Sequence, residues 1–101
     1  MTYSVKRDSV PPVLIQWTEE IDFIVNAVDM ALHKFALHAV ITSGMEGSHR
    51  RASKHFKSEA VDFRIVWPAA QRDAVLKAIM DMLKPRARYI LETDHLHVET
   101  V

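Results

Sequence analysis

The chain of 101 residues contains no cysteine, only two glycines and no net charge. The lack of cysteine excludes disulfides, thiolate zinc ligands and a cysteine nucleophile, so any metal site must use His, Asp or Glu. Thirteen basic residues balance thirteen acidic residues, which argues against nucleic acid as a partner. No apolar run is long enough for a signal peptide or a membrane span. We therefore expect no signal peptide, no membrane insertion and synthesis in the cytoplasm.

The residues that are present have the composition of a globular protein. Hydrophobic residues make up 49% and charged residues 26% of the chain, a balance typical of soluble folded domains. The length predicts a single domain over residues 1–101, which is large enough for one modest hydrophobic core.

Two amphipathic helices are predicted. Thr18 is a suitable N-cap for a helix of about 18 residues. The apolar residues of this helix recur every three or four positions: Ile21, Ile24, Val25, Val28, Leu32 and Phe35. Pro68 begins a second helix, which ends before Pro85. Its apolar stripe consists of Val75, Ala78, Ile79, Met82 and Leu83.

Four short segments predict strands, and the residues before the first helix are expected to be irregular. The strand segments are "HAVIT" (38–42), "AVDFRIVW" (60–67), "ARYILE" (87–92) and "HLHVET" (95–100). The last two form a hairpin that turns at Thr93 and Asp94. The predicted fold class is α+β, with a mostly antiparallel sheet and two helices packed on one of its faces. Trp17 and Trp67 are both possible substrate platforms, although the alternation along 60–67 places Trp67 in the core.

Three polar side chains are expected to converge on the face of this sheet that does not carry the core. Asp62 and His97 each alternate with apolar residues along their strands, and His55 lies in the loop just before the first of these strands. If the strands are neighbours, two imidazoles and one carboxylate meet, which suits a catalytic zinc ion with an open fourth position. Calcium would need more oxygen ligands, whereas copper and iron stay open by ligand type alone.

The residues around these side chains resemble the motifs of a known peptidase family. "SKHFKSEAVDF" (53–63) is similar to the S-x-H-x-x-G-x-A-x-D pattern of zinc D-Ala-D-Ala carboxypeptidases and L-Ala-D-Glu endopeptidases, and "DHLHV" (94–98) is similar to their closing D-H-x-H-V. The hedgehog signalling domain shares both motifs and that fold. The resemblance covers residues 38–100 and departs at Ser58, where the pattern has glycine. The chain particularly resembles the short members of this family that bacteriophages encode.

The resemblance implies that His55, Asp62 and His97 bind Zn²⁺. It also implies a general base at Asp94, three residues before the last ligand, which takes a proton from the attacking water and passes it to the leaving amine. Glu92 is the competing candidate for this base, because a glutamate further upstream takes the equivalent place in the hedgehog branch.

Three further residues receive roles around this site. His95 would stabilise the oxyanion of the tetrahedral intermediate. The candidate substrate-binding residues are His49 and Ser53. His49 matches a histidine near the metal in hedgehog-type sequences and would line the cleft. Ser53 is expected to support the ligand loop through a hydrogen bond rather than act as a nucleophile.

The resemblance therefore implies a hydrolase, a zinc metallopeptidase that cuts a peptide bond in bacterial peptidoglycan. It would be a D-Ala-D-Ala carboxypeptidase or an endopeptidase, encoded by a bacteriophage, acting on the bacterial cell wall or as a phage component. One alternative is a zinc-binding hedgehog-like module without hydrolytic activity, which serves as a virion or interaction component. The other is a metal-free structural domain in which both motifs are accidental.

Overall fold

The structure is a computed structural model, and it describes residues 3–7, 12–13, 15–44 and 59–101. In these ranges the helices and strands follow one another along the chain as β1 (Ser4–Val5), α1 (Glu19–His33), β2 (Val40–Ser43), β3 (Ala60–Arg64), a 3-10 turn (Ala69–Gln71), α2 (Arg72–Leu83), β4 (Ala87–Leu91) and β5 (His95–Thr100). Within the described ranges, no helix combines the length and the apolar character needed to cross a bilayer.

The first helix begins where the sequence predicts and ends earlier. The Thr18 side chain accepts a hydrogen bond from the Ile21 N–H, which confirms Thr18 as the N-cap. The helix ends at His33. Beyond it, the Leu37 N–H donates to the Leu32 carbonyl and the Ala36 N–H donates to the His33 carbonyl, the pattern of a Schellman ending. Ala36 takes the left-handed conformation of this motif with φ 58°, so the chain turns away before the apolar periodicity ends.

The strands form one five-stranded mixed sheet in the order β1-β2-β3-β5-β4. β1 runs parallel to β2, and the other neighbouring pairs are antiparallel. The α+β class and the mostly antiparallel sheet are therefore confirmed. The expectation of an irregular segment before α1 is wrong at β1, which is too short to show an alternating pattern in the sequence.

The hydrophobic core lies between the helices and one face of the sheet. The buried apolar residues of α1 and α2 form one cluster with apolar residues of β3, β5 and β4. The strand residues in this cluster include Val61, Phe63, Leu96, Val98 and Ala87. Trp67 also belongs to this cluster and is 8% exposed, as its sequence position predicts. The opposite face of the sheet carries Asp62, His97 and Glu99, because successive residues of a strand point to opposite faces.

Several predicted boundaries shift by a few residues. β2 begins at Val40 rather than at residue 38, and β3 ends at Arg64, so Trp67 joins the core from beyond the strand. Pro68 precedes the 3-10 turn rather than the first turn of α2. The Pro68 carbonyl accepts a hydrogen bond from the Gln71 N–H, which closes this turn. The hairpin is confirmed, since the Glu92 N–H donates to the His95 carbonyl across a two-residue turn.

The left-handed Ala36 yields a prediction on stability. Replacing Ala36 by glycine is expected to raise the free energy of unfolding by about 1 kcal/mol, because the Cβ atom is unfavourable in this conformation. Ala36 is exposed, so little packing is lost. Chemical denaturation of the two proteins measures the difference.

The matched control is Ala74→Gly on the exposed side of α2. It should lower the free energy of unfolding by about 1 kcal/mol, because glycine is unfavourable inside a helix. A loss of stability in both variants would contradict the left-handed ending at Ala36.

Candidate metal centre

The candidate site is built by β3 and β5, which are adjacent and antiparallel. In their register Asp62 lies opposite His97, and Arg64 lies opposite His95. Directly opposed residues of two strands point to the same face. The condition on which the predicted metal site depended, that these two strands are neighbours, is therefore met.

Asp62 and His97 are in direct contact. His97 Nδ1 donates to Asp62 Oδ1 over 2.9 Å. The His97 side chain is only 15% exposed and the Asp62 side chain only 11%. Two ligand atoms at usual zinc distances on a tetrahedral ion lie about 3.3 Å from each other. A small opening of the contact would therefore bring both atoms to the separation that a shared ion requires.

A carboxylate holds the other side of the His97 ring. His97 Nε2 donates to Glu99 Oε1 over 2.7 Å, and Glu99 Oε2 accepts from Arg88 Nε over 3.0 Å and from Arg88 Nη2 over 2.7 Å. We refer to Asp62, His97, Glu99 and Arg88 as the charged row, since their charges alternate in sign. The row joins β3, β5 and β4 on the face away from the helices.

The charged row shifts the pKa values of its members. The hydrogen bond to Asp62 raises the pKa of His97, with Glu99 adding to the effect and burial opposing it. Burial acts to raise the pKa of Glu99, but the hydrogen bonds from Arg88 and His97 outweigh it and the pKa is lowered. A neutral imidazole has one N–H, so donation to both carboxylates needs the imidazolium form that the raised pKa favours.

Asp94 and His95 lie at the hairpin end of the same face. His95 Nδ1 donates to Asp94 Oδ1 over 2.8 Å, and His95 Nε2 lies 3.7 Å from Asp62 Oδ2. Asp94 is 88% exposed, and the hydrogen bond from His95 lowers its pKa. His95 thus links the candidate base to Asp62. Glu92 is exposed at the other side of the turn, and its backbone N–H holds the hairpin closed.

Three of the predicted site residues, His49, Ser53 and His55, lie outside the described residues. The structure therefore brings together two of the three predicted ligands, Asp62 and His97. In the part of the chain that the structure describes, no group of three or more His, Asp or Glu side chains is arranged to hold a metal ion.

The sequence patterns predicted no role for Glu99 or Arg88. Glu99 follows His97 by two residues and shares its face, a signal that was present in the alternation of the last strand. Arg88 lies opposite Glu99 in the register of β4 and β5. A hairpin with its turn at Thr93 and Asp94 already implies that pairing, so both residues could have been found from the predicted hairpin.

No family model matches this chain, and no curated protein matches it.

The contact between Arg88 and Glu99 yields a prediction on coupling. A double-mutant cycle with Arg88→Met and Glu99→Gln is expected to give a coupling energy of about 1 kcal/mol, because a nearly buried carboxylate accepts two charged donors. Arg88 itself is more than half exposed, so the coupling should not reach the values of fully buried pairs. Chemical denaturation of the four proteins measures it.

The control cycle uses Arg72→Met and Asp73→Asn, an exposed pair joined at 3.4 Å. Its coupling is expected to lie within about 0.3 kcal/mol of zero, as for most surface ion pairs. Equal coupling in the two cycles would mean that Arg88 does not hold Glu99 in place.

Proposed function

We propose that this chain is a zinc-dependent peptidase that hydrolyses a peptide bond in bacterial peptidoglycan, of the D-Ala-D-Ala carboxypeptidase or endopeptidase type. The hedgehog-like details of the fold and a bacteriophage origin belong to the same proposal. The observation that carries it is the contact between Asp62 and His97 on adjacent strands. These are the residues that the two motifs assign as ligands, and they come from motifs far apart in the chain.

The donor set of the described residues fits zinc. A carboxylate oxygen and an imidazole nitrogen are two of the ligand types of catalytic zinc sites. The Glu99 carboxylate on the second ring nitrogen of His97 is the outer contact that metal-binding histidines usually have, because it orients the ring and makes it a stronger ligand. The third donor, His55, rests on the first motif alone.

The proposed chemistry divides among the residues of this face. Zinc, when bound, supplies a Lewis acid that lowers the pKa of a water and polarises a carbonyl. Asp94 would take the proton of the attacking water and deliver it to the leaving amine. His95 holds the Asp94 carboxylate at 2.8 Å and would donate its other N–H to the oxyanion of the tetrahedral intermediate. Glu99 and Arg88 keep the His97 ring in place throughout.

A second candidate function is a metal-binding module without hydrolysis, as in the hedgehog branch. One observation favours it. The Asp94 carboxylate is largely exposed and its described contact is with His95, rather than with Asp62 or His97. Zinc binding is common to both functions, whereas turnover belongs to the first alone.

The proposal predicts how zinc binding responds to mutation. The purified protein should bind about one equivalent of zinc, and His97→Ala should weaken the affinity by more than about 100-fold because a ligand is lost. Glu99→Gln should weaken it by about 10- to 100-fold through the orientation of His97. A competition assay with a chromogenic chelator measures these affinities.

His33→Ala is the control, because His33 is exposed on the last turn of α1 and lies outside the motifs. It should leave the affinity unchanged. Addition of a strong chelator should lower the melting temperature of the wild type, since an ion that binds the folded state stabilises it. No bound zinc after supplementation, or equal affinities in all variants, would end the proposal.

A digestion assay separates the two candidate functions. Purified peptidoglycan is incubated with the protein, with and without a chelator, and released fragments are identified by mass spectrometry. Asp94→Ala is expected to retain zinc and to lose about 10²- to 10⁴-fold of the turnover, the usual contribution of a general base. Glu92→Ala is the matched control and should stay active.

The opposite pattern, with Glu92→Ala inactive and Asp94→Ala active, would assign the base to Glu92. Zinc binding without any released fragment would favour the module without hydrolysis.

A further inference from the structure

An aromatic pair is exposed beside the N-terminus of α1. The rings of Tyr3 and Trp17 have centroids 5.5 Å apart and planes inclined by 49°. Trp17 is 48% exposed, although large aromatic side chains usually bury most of their surface. Neither residue takes part in the charged row or the hairpin end, so the proposed peptidase chemistry leaves this pair unused.

The pair forms one wall of a cavity. The volume of the cavity is about 540 Å³, and its lining consists of Tyr3, Trp17, Thr18, Glu19 and Asp22. The cavity is shallow and largely open to solvent, so a ligand would be held there on one side rather than enclosed. In the described part of the chain, the Glu19 and Asp22 side chains form no hydrogen bond or ion pair. The cavity therefore combines an open aromatic face with two carboxylates that are available as acceptors.

A neighbouring cavity contains a second aromatic ring, which is covered by a cation of this chain. It shares Glu19 and Asp22 and continues to Phe23 and Arg86. There the Arg86 guanidinium lies 4.2 Å from the centroid of the Phe23 ring, so this chain already covers that ring with its own cation. Nothing comparable covers Trp17 among the described residues, where its ring contact is with Tyr3.

Positive charge near the cavity offsets part of the negative charge of its carboxylates. Glu19 and Asp22 lie in the first turn of α1, where the positive end of the helix dipole partly compensates their charge. Arg86 lines the neighbouring cavity together with the same two carboxylates. The carboxylates therefore serve better as hydrogen-bond acceptors than as an unbalanced negative site. A ligand with an apolar face and several hydroxyl donors matches this surface.

We propose that Tyr3, Trp17, Glu19 and Asp22 form a carbohydrate-binding subsite. The C–H face of a pyranose ring packs on the exposed indole of Trp17, and hydroxyl groups at the edge of the ring donate to Glu19 and Asp22. Hydrogen bonds to charged acceptors are the stronger kind, which fixes the orientation of the sugar. The subsite uses no zinc ligand. Only the choice of an N-acetylated amino sugar as the preferred ring rests on the proposed action on peptidoglycan.

The test follows the indole N–H signals by NMR during a titration. The chain has two tryptophans, so the exposed Trp17 reports on the subsite while the buried Trp67 is an internal control for unfolding. The probes are tri-N-acetylchitotriose, maltotriose and choline. A saturable shift of the Trp17 signal with chitotriose, and no shift of the Trp67 signal, is the expected result.

Variants assign the binding to the named residues. Trp17→Ala should weaken chitotriose binding by about tenfold, since the stacking surface is lost. Glu19→Gln with Asp22→Asn keeps the shape of the cavity and should weaken binding by about three- to tenfold through the loss of charged acceptors. Asp73→Asn, an exposed acid on α2, is the matched control and should bind as the wild type does. Ligand-observed NMR measures binding in every variant.

Several outcomes would overturn the subsite: no saturable Trp17 shift with either sugar, a shift with choline alone, or wild-type chitotriose binding in both the Trp17 variant and the double variant. Equal binding of maltotriose would support the subsite and reject its preference for amino sugars. Chitotriose binding by a protein that binds no zinc and releases no wall fragment would support the subsite while the proposed function fails.

Discussion

Asp62 and His97 are two nearly buried ionisable side chains that depend on each other, because a charge removed from water is strongly destabilising unless it is paired and hydrogen-bonded. Their contact exists only in the observed register of β3 and β5. A shift of one residue would turn Val61 and Phe63 away from the core and separate the pair. The hydrophobic face of β3 thus fixes the position of the polar face, and the candidate metal site follows from the packing of the core.

The charged row extends the same constraint to the edge of the sheet. The two-residue turn of the hairpin sets Arg88 opposite Glu99, and Glu99 in turn holds the second nitrogen of His97. On the other side, an irregularity in the pairing of β2 with β3 brings Ser43 opposite Asp62. Bulges of this kind are common beside functional sites, where they change the direction of a side chain. The His97 ring is therefore held by Asp62 on the neighbouring strand β3 and by Glu99 on its own strand.

The sequence predicts those features that repeat along an element or rest on one local signal. The start of α1 at Thr18, the hairpin and the two faces of β3 and β5 belong to this group. The end of α1 was missed because alanine, not glycine, takes the left-handed position at residue 36. Arg88 was missed because its role depends on a contact between two strands, whereas Glu99 was missed although it shares the face of His97 on the same strand. The roles of His49, Ser53 and His55 stay predictions from the motifs.

The composition of the charged row also bears on why this face is polar. Buried ion pairs are weak contributors to stability, and apolar side chains of similar volume often serve a sheet better. Val and Ile at the positions of Asp62, His97 and Glu99 would continue the apolar character of the opposite face without any desolvation penalty. Arg88 and Glu99 do not touch Asp62, yet through His97 they hold the ring against it. The row holds one imidazole in a single orientation through hydrogen bonds on both of its ring nitrogens, and a metal ion bound at Nδ1 would have to replace the proton that this nitrogen donates to Asp62.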